Sequence, residues 1–353
     1  MTSRQPHGVV QLGPYPPPYG GVAANVLAID KLLVDRGLDA AIVSIAGPRQ
    51  TDRARVRFPS DGLALILTLL RLPHRIVHMH LGGDLKPKLL ALVLATSLLP
   101  GRRTVVTLHS GGAAADPSRP GRRSLAGLVL RRVDRVIGVN PSMIDWFLEL
   151  GCAPDRTHLI LPYAIDADYL REAAAPLQGE MARFRERHDP LLVTVGGLED
   201  EYDIPTQLEA LRLVRERLPG AGLIVVGAGS LAADLHRRSE ELGVAQQVLV
   251  TGALPPADTA RAIRSADVFL RTTKYDGDSI AVREALHLGT PVVATDNGMR
   301  PPGTLLVPTG DPRAVADAIR SSLAGRVPHR QPWPPDTRGV EGVLDVYRSL
   351  GLS

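Results

Sequence analysis

Short runs of apolar, β-branched residues recur along the chain, each followed by a stretch in which apolar positions return every three or four residues. The first pattern is that of a strand buried on both faces and the second that of an amphipathic helix, so their alternation predicts repeated βα units around parallel sheets. Two such series are present. The first places strands at His7 to Leu12, Ala40 to Ile45, Ile76 to His80, Thr104 to His109, Arg135 to Val139 and Thr157 to Leu161, with helices between them, for example Ala23 to Arg36 and Leu89 to Leu99. The second runs through Leu191 to Val195, Leu223 to Val226, Gln247 to Thr251, Val268 to Leu270, Val292 to Ala294 and Thr304 to Val307. Each series builds one doubly wound sheet.

A chain of 353 residues has the length of two domains. The expected architecture is α/β, with two Rossmann-like doubly wound domains: residues 1–170, then a connection over 171–190, then residues 191–330. The connection begins within the charged, Ala-rich stretch from Ala167 to Pro190, which lacks strand character. A Pro-rich segment, GRVPHRQPWPPD, precedes a last helix within about 335–353, expected to return to the first domain. No internal repeat at solenoid periods and no low-complexity tract interrupts this pattern.

Composition narrows the function classes. Apolar residues make up 44% and charged residues 22%, which excludes disorder, collagen and coiled coil. The single cysteine, Cys152, rules out an internal disulfide and a zinc site built on several thiolates, and suggests a reducing, cytosolic setting. No apolar leader opens the sequence, and the greasiest segments, Gly62 to Leu72 and Leu89 to Leu99, are too short to span a bilayer. The net charge of +4 is uneven, +7 over residues 1–170 and −3 over the rest, with eight Arg facing two Asp between Arg102 and Arg135. That surplus is either a solvated face or a surface for anionic lipid or an acidic substrate at the inner face of a membrane. Nucleic acid is a poor partner despite an isoelectric point near 9.4, because only two Trp and four Phe are present and no nucleic-acid-binding motif accompanies the basic residues. A G-x-S-x-G elbow and a Walker sequence are both missing.

In doubly wound sheets ligands bind beyond the carboxyl ends of the strands. Four loops there stand out. GPYPPPYGGVAANV follows the first strand, and Gly20 and Gly21 lie just before a helix whose free N–H groups favour an anion, although turn chemistry alone also explains them. His109 ends the strand TVVTLH ahead of Ser110, Gly111 and Gly112, in position to bond a ligand or to fill a core. Gly196 and Gly197 follow LLVTV, and Gly227, Ala228 and Gly229 follow LIVV; each cluster permits close backbone approach or a tight turn. The strongest is LRTTKYDGDSIAVREALHLGTPVVATD. There Asp276, Gly277, Asp278 and Ser279 precede a helix, Ser279 or Asp278 can cap it, and the remaining donors up to Ile280 can hold phosphate. Glu284 lies about two turns beyond Asp276, where a carboxylate facing the sheet needs hydrogen-bond donors such as a ribose diol; its alternative is a surface salt bridge.

At these residues the sequence resembles family 4 retaining glycosyltransferases of the GT-B type, over nearly the whole chain. The PPYGGV loop, VVTLHS, VDRVIGVNPSM, LLVTVGGL, VVGAGSL and the DGDSIAVREALHLGTPVVATD block occur in that family's order and approximate spacing. The resemblance implies two Rossmann-like domains facing a central cleft, and transfer with retention from a nucleoside-diphosphate sugar, a UDP-sugar being the expected donor. It implies no catalytic metal and no cofactor beyond that co-substrate. The acceptor would be a glycan, a lipid-linked sugar or a secondary metabolite, met by the first domain. The family's two acidic residues fall on Asp276, where a glutamate is usual, and Glu284. Carried over by position, Gly20 and Gly21 would face the diphosphate, His109 the transferred sugar, Asp276 the sugar hydroxyls and Glu284 the ribose. The amides of Gly277 to Ile280 would receive phosphate and sugar oxygens.

One departure stands out. The family usually has an Arg just after the glycine of the VG turn and a Lys about five residues later, both on the diphosphate; here those positions are Gly197 and Tyr202. Charge leaving on a diphosphate needs compensation, and Arg271 and Lys274 are placed to supply it. The alternatives are a catalytically impaired sugar-nucleotide-binding subunit acting as a scaffold, or a sugar-nucleotide epimerase. Sequence variation in the loop Gly111 to Arg123 is expected to set the acceptor.

Overall fold

A computed structural model describes residues 8–17, 19–45, 54–82, 85–109, 125–326 and 332–352. The chain divides into two compact units, Met1–Ala164 together with Thr337–Ser353, and Ile165–Asp336. The first unit carries strands β1 (Val9–Gly13), β2 (Ala40–Ser44), β3 (Val56–Arg57), β4 (Ile76–Leu81), β5 (Arg103–Leu108), β6 (Arg135–Gly138) and β7 (Thr157–Leu159). Its helices are α1 (Gly21–Asp35), α2 (Gly62–Arg71), α3 (Pro87–Ser97), α4 (Leu125–Leu130) and α5 (Pro141–Glu149). The sheet is parallel throughout, in the order β3-β2-β1-β4-β5-β6-β7. Strand order therefore reverses between β1 and β4, which marks the ligand-binding end of a doubly wound sheet.

The second unit carries β8 (Leu191–Val195), β9 (Gly222–Val226), β10 (Val248–Gly252), β11 (Val268–Arg271), β12 (Val292–Thr295) and β13 (Thr304–Val307). Its helices are α6 (Ala167–Ala173), α7 (Gly179–Arg187), α8 (Ile204–Arg215), α9 (Ala232–Glu241), α10 (Pro256–Ser265), α11 (Ile280–His287) and α12 (Pro312–Ser321). The sheet order is β10-β9-β8-β11-β12-β13, again parallel, with its reversal between β8 and β11. The last helix, α13 (Arg338–Ser349), groups with the first unit. Two parallel-sheet α/β units of Rossmann type result.

Period-two alternation decides what each strand face meets. In the first unit Val10, Leu12, Val77, Met79 and Leu81 pack under α2 to α5, together with the buried Cys152. Val9, Ile76 and Val105, from the other face, pack against Ile29 and Leu33 of α1 and Val343 and Tyr347 of α13. Each such side chain contributes about 1.5–3 kcal/mol by leaving water. The second unit repeats the scheme, with Leu192, Leu223 and Leu270 under α8 and α12, and Val193, Ile224 and Phe269 under α7, α10 and α11. Helix starts follow local chemistry: Asp61 accepts from the Ala64 amide ahead of α2, and Asn140 accepts from the Met143 amide ahead of α5, where Pro141 loses no needed donor.

Strand ends move by one or two residues from their expected places, and His7 lies outside the described residues. One strand was not expected. β3 is two residues long and pairs with β2 at the sheet edge, too short to leave a periodic signal. The stretch read as a connection holds α6 and α7, whose Ala173, Met181 and Phe184 pack into the second unit's core.

Helix α13 is seated against the chain through Gly339, where an added Cβ would stand 2.2 Å from the Leu161 carbonyl oxygen and 2.7 Å from that of Tyr163. The same segment is held by the Asn25 side chain, which donates to the Pro162 carbonyl at 2.7 Å. Backbone on both sides leaves nothing to yield. Gly339→Ala is therefore expected to destabilise the first unit by about 1–3 kcal/mol, the usual cost of overpacking. Urea unfolding checks this, and Gly20→Ala, at a position with nothing within 4 Å, serves as the neutral control.

Candidate functional site

The switch point of the second unit is built by the ends of β8 and β11. After β8 the backbone turns through Gly196 and Gly197, and the Tyr202 ring lies against both, so close that a Cβ on Gly196 would stand 2.4 Å from it. Gly227, at the end of β9, adopts φ +152° and comes within reach of the Gly196 carbonyl, where a side chain could not fit. The Tyr202 loop is pinned from below: the Thr272 hydroxyl lies 3.1 Å from the Tyr202 carbonyl oxygen and 3.0 Å from that of Asp203. Above the ring sits the Arg271 guanidinium, 4.7 Å from its centroid.

Arg271, at the end of β11, is buried. Its Nη1 donates to the Val195 carbonyl at 2.7 Å and its Nε to Asp276 Oδ2 at 3.0 Å. Arg300, from the loop after β12, donates through Nη1 to the same Oδ2 at 3.0 Å and through Nε to the Thr295 carbonyl at 3.0 Å. The Thr273 hydroxyl completes the carboxylate's shell at 3.1 Å. Burial alone would raise the Asp276 carboxyl, but Arg271 and Arg300 overcome it and hold it below the ordinary carboxylate range. Two guanidinia against one carboxylate leave the cluster with one net positive charge.

Helix α11 begins beside this cluster. Ser279 is its cap and accepts from the Val282 amide at 3.4 Å, while Asp278 pairs with Arg283 at 2.7 Å. The remaining first-turn amides, from Ile280 on, have no partners within the helix. Lys274 is turned to the surface, where it meets Asp200 at 2.6 Å. Glu284, on α11, makes no ion pair among the described residues. Burial raises its carboxyl to about 7, with the nearby Tyr169 hydroxyl pulling modestly the other way. That hydroxyl, from α6, is itself buried and faces the Glu284 carboxyl, with no other hydrogen-bond partner among the described residues. A half-neutral carboxyl beside a buried hydroxyl is poised to take hydrogen bonds from a ligand.

In the first unit Gly20 caps α1 with extended backbone and no side-chain bond, and the first turn of α1, starting at Gly21, has no acidic residue. His109 follows β5, with its Nε2 3.2 Å from Nδ1 of His80 on β4. Ser110 and the loop Gly111 to Arg123 lie outside the described residues. Among the described residues no group of three or more His, Cys, Asp or Glu side chains is arranged to hold a metal ion.

The sequence matches Glycosyltransferase Family 4 over residues 19–168 and Glycosyl transferases group 1 over residues 189–324. The chain belongs to glycosyltransferase family 4. Among its relatives is the GDP-mannose-dependent alpha-(1-6)-phosphatidylinositol monomannoside mannosyltransferase of Mycobacterium tuberculosis, 30% identical over 254 residues, 67% of this chain. The chain spans 65% of that relative's length. Solved structures similar in fold include sucrose-phosphate synthase from Thermosynechococcus elongatus, with a TM-score of 0.70 at 18% identity over 97% of this chain and 99% of that one. Anabaena HepE in complex with UDP-glucose gives 0.69 at 16% identity over 98% and 96%. The two-domain Rossmann-like fold of this family 4 chain is thus the GT-B fold.

Three residues of the candidate site escaped the sequence pattern. Arg300 lies 24 residues beyond Asp276 in irregular chain, and only folding brings them together. Tyr169 sits in the stretch read as a connection. His80 did leave a signal, since His78 and His80 alternate within the otherwise apolar strand IVHMHL, and a buried parallel strand has no general use for polar side chains.

Glu284 gives a stability prediction with a definite sign. A folded value of about 7 against an ordinary 4.5 means that the folded state binds more protons between those limits, so stability is lost as pH rises through the window. Glu284→Gln removes the cost. In the absence of nucleotide its unfolding free energy, read by urea denaturation, should exceed that of the parent protein more at pH 8 than at pH 5, by a difference on the order of 2 kcal/mol. A difference that is flat with pH would mean the carboxyl is not desolvated.

Proposed function

We propose that this family 4 glycosyltransferase moves a sugar from a nucleoside-diphosphate sugar to its acceptor with retention and without a catalytic metal. The observation that carries the reading is the cluster at the start of α11: a net positive pair of buried guanidinia around Asp276, next to first-turn amides that have no partner within the helix and followed by Glu284. Charge that grows on a departing diphosphate would meet fixed donors there, which cost no reorganisation when the bond breaks. Arg271 and Arg300 are proposed to replace the cations missing at Gly197 and Tyr202. Lys274 would join them only by leaving Asp200. Asp276 would orient sugar hydroxyls through the oxygen that the guanidinia leave available, and the amides of Gly277 to Ile280 would hold phosphate and sugar oxygens. Glu284 would accept from the ribose diol, and Gly196 and Gly197 would admit the donor to the backbone. In the first unit, the start of α1 at Gly20 and Gly21 would take phosphate, and His109 a group of the sugar.

Uridine is the base we propose, in keeping with the UDP-glucose held by HepE, and the relative named for GDP-mannose makes guanosine its competitor. Thermal stabilisation by UDP, GDP, ADP, CDP and TDP and their sugars decides, because a ligand that binds only the folded state raises its apparent stability. One diphosphate and its sugar should win. Glu284→Ala should abolish the shift, and Arg300→Gln should weaken the diphosphate far more than the matching monophosphate. Stabilisation by none of them would defeat the donor-site reading. Product anomeric configuration and activity in excess chelator test retention and metal independence.

A lipid-linked acceptor at a membrane surface is the acceptor we propose. Helices α2, α3 and α4 pack side by side over one sheet face, and their outer sides expose Leu63 (72% accessible), Leu67, Leu70, Leu125 and Leu128, with Leu98 just past α3. Arg71, Lys86, Lys88 and Arg132 are exposed around them. Leucines ringed by cations suit an anionic bilayer, into which no helix among the described residues is long and apolar enough to cross. The protein should co-sediment with vesicles containing anionic phospholipid and not with neutral ones, and the pair Leu63→Glu and Leu67→Glu should release it. Equal recovery with both vesicle types, or no effect of the substitutions, would remove membrane docking.

A further inference from the structure

A chain of buried hydrogen bonds in the first unit has a direction that can be read from one end. It starts at the Val26 backbone carbonyl of α1, which can only accept. Gln11 of β1 donates to it through Nε2 at 3.1 Å, so the Gln11 amide is fixed with Oε1 pointing the other way. Oε1 lies 3.1 Å from His80 Nε2 and can only accept, so His80 carries its proton on Nε2. On a neutral ring that leaves Nδ1 bare, and His109 Nε2 stands 3.2 Å from it. The proton between them belongs to His109 Nε2. Its other nitrogen, Nδ1, is then a lone pair.

The surroundings keep both rings neutral. Gln11 and His80 are almost fully buried, and the His78 ring lies 4.1 Å from that of His80. The partners of His78 are the hydroxyls of Tyr347 and Thr107, which carry no charge. Burial lowers the His109 imidazole to about 4. The position of His80 is set by packing as well. Gly13 faces it across the sheet, and a Cβ there would stand 3.2 Å from His80 Cβ and 3.1 Å from Val26 Cγ2.

We propose that Gln11 and His80 are positioning residues that deliver His109 to its ligand as an acceptor only, through Nδ1. This rests on the reading of His109 as a residue that meets the sugar. The consequence is a choice of ligand chemistry. The group against His109 donates a hydrogen bond, as a sugar hydroxyl or an N–H does; a carboxylate or phosphate oxygen there would set lone pair against lone pair. His109 accordingly orients a neutral sugar and neither gives a proton nor balances charge on the phosphates.

The test separates the relay from the glycosyltransferase reading. Long-range nitrogen–proton NMR of the ligand-free full chain at pH 7.5, with His80→Ala and His109→Ala used for assignment, reports each ring's tautomer. We expect His109 protonated on Nε2 alone and His80 likewise. An Nδ1–H form or an imidazolium at His109 overturns the proposal whatever the protein binds. In Gln11→Leu the polarity is released, and the His109 signals should move to a mixture of tautomers; in Gln11→Glu a carboxylate favours a doubly protonated His80, which donates through Nδ1 and drives the His109 proton to its own Nδ1. Unchanged His109 signals in both variants overturn the relay. Both should weaken the nucleotide sugar by roughly five- to tenfold while leaving the matching nucleoside diphosphate alone unaffected, since one hydrogen bond to the sugar is lost. Equal weakening of both ligands assigns Gln11 a merely structural role and overturns the positioning proposal. Tautomers as expected in a protein that binds no nucleotide sugar would retain the relay and defeat the function it was tied to.

Discussion

A parallel strand covered by helices on both faces has no solvent into which to turn a polar side chain, so each polar residue on it must find a partner or sit at the strand's end. That constraint places the chemistry in both units. In the first, Gln11, His78, His80 and Thr107 occupy the face of the sheet that Val9, Ile76 and Val105 share with α1 and α13, and each of the four is bonded to another group. In the second, Thr194, Thr272 and Arg271 play the same part at the ends of β8 and β11. Polar groups concentrate toward the carboxyl ends because β–α loops supply backbone carbonyls and helix starts there, whereas the middle of the sheet offers only side chains.

The second unit meets the constraint with charge. Burial opposes ionisation of the Asp276 carboxyl, and the two guanidinia together reverse that and hold it more firmly ionised than in water. The Tyr202 ring has a packing role of its own at the turn after β8. It fills the space beside Gly196 and Gly197, and gives Arg271 an aromatic face to lie on. Aspartate in place of the usual glutamate fits the same economy, since a carboxylate one methylene shorter stays within reach of side chains rooted at the end of β11 and in the loop after β12.

The sheets were readable in the sequence because a strand buried on both faces is a nearly unbroken apolar run, and twelve such runs correspond to strands. β3 was not, because two residues at a sheet edge need no pattern. Helices α6 and α7 were passed over for a related reason: they are short, their outward sides are strongly charged, and of their apolar residues only Ala173, Met181 and Phe184 are fully buried in the core. Of the site, what lay in one continuous block was legible, Asp276 through Glu284 above all. Arg300 and Tyr169 were not, since nothing in a local window says that a loop arginine or a tyrosine in a linker will be folded against those carboxylates.

Two different electrostatic solutions therefore serve the two units. At the α11 start, the donors are ionic or helical, and they suit a group whose charge changes. Around His109 every partner among the described residues is neutral, and the hydrogen-bond chain has one polarity set by a backbone carbonyl that cannot donate. A neutral chain of this kind has little to offer a phosphate, yet it discriminates well among neutral groups, because reversing one bond would require every bond back to Val26 to reverse. Recognition of a sugar, which differs from its relatives mainly in where its hydroxyls point, asks for that kind of fixed polarity more than for charge.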